Sequence, residues 1–392
     1  MTLPYVPDLD PTKTRFQALY FVYFISFSGF TVFRNVYLEE IGMTGFQMGM
    51  IGFVLIIVGV LAQPAWGLLT DWKGIHREVL IVGAVASALG LLAYPIGDAT
   101  GGSVAGWEVA FIVILVGTGL YSLFQAPIVP IANSLVLAEG FDYGRIRAFG
   151  SISFGIGSLG IGVLLATFAT SFVVFFYLAG MVVIVALIWN MPARTEEAGS
   201  DLTAEAIALL TRRPFLLLLS VAFLLGMASS ASSAFFSVYM RAIGAGDSLT
   251  GLAWAIKTVF EAVTFLYVLR FGVSYRLLLV VGAAFNAVTN LVYFSTVNPI
   301  PIMGAQLFAG IGYATFYLAA VNLAHDMAPG QLKSTAQTVL AAAGIGAGGA
   351  VGQVIAGHLM DLVGVQDMYV FLAAFAGLAA LVGLLVRRRS GQ

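Results

Sequence analysis

Apolar and polar residues follow one another along this chain in long blocks rather than at single positions. Twelve predominantly apolar stretches fill nearly the whole sequence, near residues 16–38, 46–70, 78–97, 107–131, 147–168, 172–191, 214–240, 248–269, 275–296, 300–324, 333–358 and 366–386. A helix needs roughly 20 apolar residues to cross the hydrocarbon core of a bilayer. Only helices and closed barrels satisfy their own backbone hydrogen bonds there. The pattern therefore predicts an all-α integral membrane protein with 12 transmembrane helices.

The one long polar interruption predicts how the chain is divided. It separates an N-terminal six-helix bundle, residues 1–191, from a C-terminal six-helix bundle, residues 214–392, and residues 192–213 are expected to form a cytoplasmic linker with a short amphipathic helix. The eleventh stretch carries small residues at every fourth position, namely Gly344, Gly348, Gly352 and Ala356. Such a face lets another helix backbone approach closely. This face is consistent with two six-helix halves that rock against each other, and equally with tight static packing between helices.

Charge placement predicts the orientation in the membrane. Of the 18 Lys and Arg residues, 15 lie at the face that would carry both termini, Arg241 alone lies at the other face, and Arg34 and Lys257 fall inside helices. Because cytoplasmic loops are enriched in Lys and Arg, both termini are expected to be cytoplasmic in a multi-pass plasma membrane protein.

Composition excludes several classes of function. Hydrophobic residues make up 60% of the chain and charged residues 9%, and the mean hydropathy is +0.98. The net charge of −1 comes without a basic patch, so no nucleic-acid partner is expected. The sequence has no Cys, no Walker loop, no HExxH and no GxSxG, so we expect neither an enzyme nor an ATP-driven pump, and no metal or cofactor. The expected partners are a small-molecule substrate and the lipid bilayer, with the protein as a monomer.

One loop motif points to a known superfamily. The segment Gly67-x-Leu69-x-Asp71-x-x-Gly74 resembles the loop between helices 2 and 3 of the major facilitator superfamily, although Trp72 and Ile75 stand where basic residues are usual. The resemblance implies two pseudo-symmetric six-helix bundles and a cytoplasmic gate formed by Gly67, Asp71, Gly74 and the nearby Arg77.

Further motifs resemble the lactose permease and phenylpropionate permease-like branch of that superfamily. The segment 143–151, Tyr-Gly-Arg-Ile-Arg-Ala-Phe-Gly-Ser, is similar to the entry into helix 5, and Trp254 followed by Glu261 is similar to helix 8. Asn133 stands where the branch has an acidic residue, and Tyr317 where a His is common. Proton-antiporting drug exporters typically carry an Arg in helix 4 and a Gly-Pro pair in helix 5. This sequence has neither feature. The resemblance therefore implies an importer that works by proton symport.

Two charges in the eighth stretch are the leading candidates for proton coupling. Lys257 and Glu261 are four residues apart, so they share one helix face. Charges inside a membrane are costly and point to function. Glu261 lies ~20 Å from the outer end of its helix at 1.5 Å per residue, near the membrane midplane. Burial favours the neutral carboxyl group and a nearby cation favours the carboxylate, so motion between them could load or release a proton. A permanently paired, inert bridge is the alternative.

The candidate substrate-binding residues are cations, aromatics and amides on several helices. Tyr20, Tyr23, Phe27 and Arg34 recur at helical spacing on the first helix. Arg34 could clamp a carboxylate or phosphate, or extend outward to Glu39 or Glu40. In the resembling branch the Arg that matches Arg147 binds substrate; anchoring of helix 5 is the alternative. The remaining candidates are Gln125, Trp254, Gln306, Tyr313 and Tyr317. Asn286, Asn290 and Gln353 are assigned to packing.

Together these features predict a secondary active transporter that uses the proton gradient to take up a small organic solute by alternating access. The excess of cavity cations favours an anionic, carboxylate-like substrate, with a sugar or nucleoside next. Export of drugs or lipids by the same fold is one alternative, and a non-transporting sensor or scaffold is another.

Overall fold

The protein is a bundle of twelve helical units, α1–α12, in a computed structural model that describes residues 10–104, 106–141, 143–189, 212–328 and 332–386. In the N-terminal half they are α1 (Pro11–Glu40), α2 (Gly45–Lys73), α3 (His76–Leu91 with Ala93–Asp98), α4 (Val109–Gln125 with Ile128–Ala138), α5 (Tyr143–Leu164) and α6 (Phe172–Ile188). In the C-terminal half they are α7 (Arg213–Ala242), α8 (Asp247–Tyr267, then a 3₁₀ turn, Val268–Phe271), α9 (Tyr275–Ser295), α10 (Pro299–Met327), α11 (Lys333–Ala341, a π-helical turn Ala342–Gly348, and Gly349–Val363) and α12 (Met368–Gly383).

The predicted fold class is confirmed. Ten of the described units are long and apolar enough to cross a membrane, and α6 and α12 are shorter apolar helices. The division at residues 191 and 214 stays a prediction, and the linker with its amphipathic helix lies outside the described residues.

Local sequence signals account for where several helices begin and end. The Asp10 side chain accepts a hydrogen bond from the Thr12 backbone N–H (2.8 Å), with Pro11 at the first helical position of α1. Thr44 and Gln47 form a reciprocal capping box at the start of α2. That helix ends at Gly74, whose φ of +65° is a left-handed conformation that a glycine adopts without steric cost.

Two departures from the predicted spans have a clear cause. The fourth span is interrupted because Pro127 has no backbone N–H to continue the helix, so α4 bends between Gln125 and Ile128. Trp107, expected to open that span, instead pairs with Val104 in a short antiparallel hairpin of Ser103–Val104 (β1) and Trp107–Glu108 (β2). Gly102 and Gly106 adopt positive φ there, which favours a turn over a helix.

Contacts between helices sort into two bundles and two seams. In the N-terminal half α1 packs on α5 and α6, and α3 packs on α4; in the C-terminal half α9 packs on α10 and α12, and α7 packs on α11 and α12. The halves meet chiefly where α2 contacts α11 and where α5 contacts α8. We call the face that carries Asp10 and Val386 the terminal face, and the other the opposite face.

Candidate functional site

A cavity of about 730 Å³ lies between α2 and the helices of the C-terminal half. Its wall combines aromatic, amide, hydroxyl and apolar groups, as expected of a small-molecule site. The polar and aromatic lining residues are Gln63, Ser229, Ser230, Ser232, Ser233, Phe236, Trp254, Lys257, Asn286, Thr289, Tyr293, Gln306, Tyr313, Phe316, Tyr317, Gln337 and Thr338. Among the described residues of this wall, Lys257 is the one charged side chain.

The cavity is closed toward the opposite face by contacts between the two halves. Arg241 of α7 forms an ion pair with Glu40 of α1 and a bidentate one with Asp247 of α8, with Nε–Oδ1 and Nη2–Oδ2 distances of 2.9 and 2.6 Å. Glu40 also accepts a hydrogen bond from Thr170. Ser237 of α7 donates to the Val32 carbonyl of α1 at 2.6 Å. The lining residues lie on the other side of these contacts, so the cavity opens toward the terminal face.

Glycines allow the two seams to close backbone to backbone. A Cβ at Gly357 of α11 would lie 2.0 Å from the Gly45 carbonyl oxygen of α2, closer than any real contact. On the second seam a Cβ at Gly251 of α8 would lie 2.4 Å from the Ser158 carbonyl oxygen of α5. The small-residue spacing noted in α11 faces α7 instead. A Cβ at Gly348 or Gly352 would lie 2.4 or 2.3 Å from the Phe223 or Met227 carbonyl oxygen, so this spacing serves close packing within the C-terminal half.

Lys257 points into the cavity and is held by two neighbours. Its Nζ donates to Ser233 Oγ at 3.2 Å and lies 4.5 Å from the centre of the Trp254 ring. A cation over an indole ring is electrostatically favourable. Among the described ion pairs none joins Lys257 to Glu261, although the two share one helix face.

Glu261 lies one helical turn beyond Lys257 and within electrostatic reach of both halves. Lys257 of its own helix and Arg147 of α5 both interact electrostatically with its carboxyl group. Tyr313 of α10 is close enough to interact with Glu261 and Arg147 as well. Glu261 of α8 is thus an acidic group that interacts electrostatically with Arg147 across the gap between the halves, and among the described ion pairs none joins the two directly.

Close packing of α8 and α10 fixes this arrangement. A Cβ at Gly310 of α10 would lie 2.4 Å from the Lys257 carbonyl oxygen and 2.9 Å from the Glu261 backbone nitrogen. The glycine lets α10 touch the α8 backbone at this turn, which places Tyr313 beside Glu261 and at the cavity wall. Arg147 itself lies 4.3 Å from the centre of the Phe24 ring and donates to Ser151 Oγ at 3.4 Å.

The aromatic stripe of α1 lies inside the N-terminal half rather than on this cavity wall. The Tyr20 hydroxyl donates to Asn133 of α4, and the Gln125 amide of α4 donates to the Tyr23 hydroxyl. Phe27 stacks on Tyr23 with ring centres 5.7 Å apart. Their predicted role in binding substrate stays a prediction.

Arg34 is buried where the two halves meet. It donates from Nε to Asn35 Oδ1 at 3.1 Å and from Nη2 to Gln353 Oε1 of α11 at 3.3 Å. Arg34 does not line the cavity described above, and Glu40, one of its two expected outward partners, is bound by Arg241 and Thr170. The predicted role of Arg34 in binding substrate stays a prediction.

The predicted gate residues lie at the terminal face. Gly67 has open space around its Cα, Gly74 ends α2, and Arg77 forms an exposed ion pair with Glu78 at 3.1 Å. The Asp71 side chain lies outside what the structure describes, so its gating role stays a prediction.

Sequence reasoning missed part of the cavity wall. Asn286, assigned to packing, lines the cavity and donates to Ser229 Oγ at 2.9 Å. Gln353, also assigned to packing, bridges Arg34 and Ser230. Gln63 and Gln337 join the wall from α2 and α11. All four residues are polar side chains within apolar helices, and this feature could have marked them as candidates. The sequence does not show the direction in which each side chain faces. Asn290 hydrogen-bonds Asn286 and so fits its packing role.

Comparison with known proteins gives the family. The model described as the MFS_1 like family matches residues 13–371. The chain belongs to this family. The resemblance to the major facilitator superfamily that the motifs indicate is thereby confirmed.

Two relatives and one solved structure show what the chain is similar to. The maltose permease of Geobacillus stearothermophilus is 29% identical over 96% of this chain and 95% of its own length. The probable 3-phenylpropionic acid transporter of Escherichia coli (strain K12) is 28% identical over 64% of this chain and 66% of its own. The crystal structure of the nucleoside transporter NupG superposes with a TM-score of 0.80 at 14% identity, covering 96% of this chain and 98% of the other. The family and the two relatives in sequence are transporters rather than enzymes.

Proposed function

We propose that this protein is a proton-coupled symporter of the plasma membrane that takes up a small organic solute by alternating access. The observation that carries the proposal is the position of Glu261, which belongs to the C-terminal half but lies within electrostatic reach of Arg147 in the N-terminal half. With both termini cytoplasmic, as the Lys and Arg distribution favours, the cavity opens to the cytoplasm in this conformation.

Rocking of the halves gives Glu261 a reason to exchange a proton. When the opposite face opens and the terminal face closes, the distance between Arg147 and Glu261 changes because they sit on different bodies. A nearby cation stabilises a carboxylate relative to the neutral acid, so this distance sets how strongly Glu261 holds a proton. Lys257 moves with Glu261 on α8, which makes Arg147 the cation whose influence depends on the conformation.

The cavity wall supports a neutral, hydroxyl-rich solute such as a sugar. Amides and hydroxyls from Gln63, Asn286, Gln306, Gln337 and the α7 serines outnumber the single cation. Arg34, on which the expectation of an anion partly rests, is bound to Asn35 and Gln353 and is not among the residues that line this cavity. The maltose permease relative, similar over nearly the whole chain, favours the same class.

A carboxylate substrate is the second candidate, and a specific contact favours it. Lys257 presents an ammonium group in the cavity beside Ser233 and Trp254. An ammonium with a hydroxyl and an aromatic wall suits an aromatic acid, and the probable 3-phenylpropionic acid transporter is a relative.

Proton flux in sealed liposomes tests both parts of this proposal. Maltose, 3-phenylpropionate and uridine are offered in turn to wild type, to Glu261→Gln and to Glu108→Gln, an exposed carboxylate in β2 that serves as the control. We expect one solute to drive proton uptake in wild type and in Glu108→Gln, and solute counterflow without proton uptake in Glu261→Gln. Coupling that persists in Glu261→Gln removes the proposed proton site. Counterflow without any proton movement in wild type removes symport itself.

A further inference from the structure

Gln353 connects three helices at the closed end of the cavity. Its Oε1 accepts a hydrogen bond from Arg34 Nη2 of α1 at 3.3 Å, and its Nε2 donates to Ser230 Oγ of α7 at 3.0 Å. Both Arg34 and Gln353 are only 6% exposed. The helix α1 belongs to the N-terminal half, whereas α7 and α11 belong to the C-terminal half. The Gln353 amide therefore links the C-terminal half to the Arg34 guanidinium of the N-terminal half.

The space for this bridge is provided by a glycine on a fourth helix. A Cβ at Gly52 of α2 would lie 1.6 Å from Gln353 Oε1 and 3.4 Å from Arg34 Nη2. Any side chain at residue 52 would therefore displace the amide from its position against Arg34. The absence of a side chain at Gly52 thus leaves the room that the Arg34–Gln353 contact needs.

Arg34 depends on neutral acceptors in this conformation. Its partners are Asn35 and Gln353, and no carboxylate pairs with it among the described ion pairs. A buried charge without hydrogen bonds is strongly unfavourable, so the Gln353 carbonyl contributes to the stability of the closed face. Parting of the two halves removes this acceptor from Arg34.

The other end of the bridge reaches the cavity. Ser230 lines the cavity, and its hydroxyl accepts the Gln353 amide while its own O–H is available to donate. A solute that hydrogen-bonds Ser230 thus acts on a group only one hydrogen bond away from the contact between the halves.

We propose that Gln353 is a positioning residue that couples the state of the cavity wall at Ser230 to the opening of the opposite face through Arg34. This inference rests on the proposed alternating access. The orientation of the amide, with its oxygen toward Arg34 and its nitrogen toward Ser230, keeps the opposite face closed, and a change of the hydrogen bonds at Ser230 releases it.

A single introduced cysteine reports the opening directly. The natural sequence has no Cys, so wild type gives no labelling. Ser237 is fully buried and donates to the Val32 carbonyl between α7 and α1. A cysteine at this position reacts with a bulky, membrane-impermeant maleimide only when the two halves part at the opposite face. The labelling rate in the Ser237→Cys protein, without any solute, is therefore the reference.

Variants at Gln353 are expected to shift this rate in opposite directions. Gln353→Met keeps the size but removes both hydrogen bonds, and we expect labelling on the order of tenfold faster, as for loss of a hydrogen bond to a charged group. Gln353→Glu places a carboxylate against Arg34, and labelling slows. Gly52→Ala acts in the same direction as Gln353→Met. Gly160→Ala, a glycine of α5 with open space around it, leaves the rate unchanged.

Combined variants separate coupling from packing. When Arg34→Met is already present, Gln353→Glu should no longer slow the labelling. Ser230→Ala should speed the labelling when Gln353 is present, and should have no further effect in the Gln353→Met protein. If Gln353→Met and Gln353→Glu shift the rate in the same direction, or if Ser230→Ala acts equally in both backgrounds, the coupling role is overturned. Labelling needs no solute, so these results stand apart from the flux assay. If no solute is transported but the labelling rate still depends on Gln353, the proposed function is contradicted and the coupling role of Gln353 is not.

Discussion

The Asp361 carboxylate at the end of α11 accepts a hydrogen bond from the backbone N–H of Gly45, which begins α2, at a distance of 2.6 Å. Its second oxygen accepts from the next N–H, that of Phe46, at 2.7 Å. The first N–H groups of a helix have no partner within the helix and carry partial positive charge. A side chain of the C-terminal half therefore caps a helix of the N-terminal half, and this cap exists only while the opposite face is closed.

Removing the charge of this cap should favour opening. In the Ser237→Cys background we expect Asp361→Asn to speed maleimide labelling roughly threefold to tenfold, since a carboxylate at a helix N-terminus contributes up to about 1–2 kcal/mol. Asp367→Asn is the matched control, because Asp367 precedes α12 at the same face and makes no capping hydrogen bond. Equal labelling of the two variants would show that the Asp361 cap does not hold the halves together.

The glycine seam should be intolerant of one methyl group. Gly357→Ala places a Cβ 2.0 Å from the Gly45 carbonyl oxygen, so α2 and α11 cannot close. We expect faster labelling at Ser237→Cys and slower transport. The control is Gly377→Ala on α12, which has open space. A Gly357→Ala protein that labels and transports like its control contradicts the close approach of the two helices.

The ion-pair cluster at Arg241 should contribute to stability more than a surface pair does. Arg241→Met removes a bidentate bond to the buried Asp247 carboxylate, and we expect a loss of about 1–3 kcal/mol from charge-assisted hydrogen bonds. Arg77→Met, which breaks an exposed pair with Glu78, should cost roughly 0–1 kcal/mol. Thermal unfolding of the purified proteins measures both. The Arg241 effect should shrink when Asp247→Asn is already present, and the remainder reports the pair with Glu40.

Lys257 and Glu261 should behave as a linked pair of charges. Lys257→Met leaves Glu261 without the cation of its own helix, and Glu261→Gln leaves Lys257 without its nearby anion, so each single variant should lower the yield of folded protein. The double variant, which leaves no charge at either position, should recover yield while lacking proton-coupled uptake. Additive losses in the double variant would mean that the two charges act independently. Fluorescence-detected size exclusion measures the folded fraction.

The fold followed from the sequence because long apolar blocks leave few arrangements for a chain in a membrane. The eighth stretch, for example, directly predicts a helix with Lys257 and Glu261 on one face. Of that helix Lys257 and Trp254 line the cavity, as do Gln306, Tyr313 and Tyr317 of α10, although the direction in which these faces point could not be deduced from the sequence.

The rest depended on how helices rotate against one another. Arg34 and the tyrosines of α1 follow the same spacing rule as α8, yet their stripe faces α4 and the seam. Spacing shows which residues share a face and leaves open which neighbour that face meets. The electrostatic interaction of Arg147 with Glu261 could not be foreseen either, since the two residues are more than a hundred positions apart and lie on different halves.

The π-helical turn Ala342–Gly348 gives α11 a property that a continuous α-helix would lack. Such a turn takes up about one more residue than an α-helical turn. The turn therefore shifts the helical phase of Gly352 and Ala356, which follow it, relative to Gln337 and Thr338, which precede it and line the cavity. One helix thus presents a smooth surface to α7, through Gly348 and Gly352, and a polar surface to the cavity, through Gln337 and Thr338. Deleting a single residue from this turn would restore the α-helical phase and rotate the two polar side chains by about a quarter turn, so the length of this segment is itself part of the binding site.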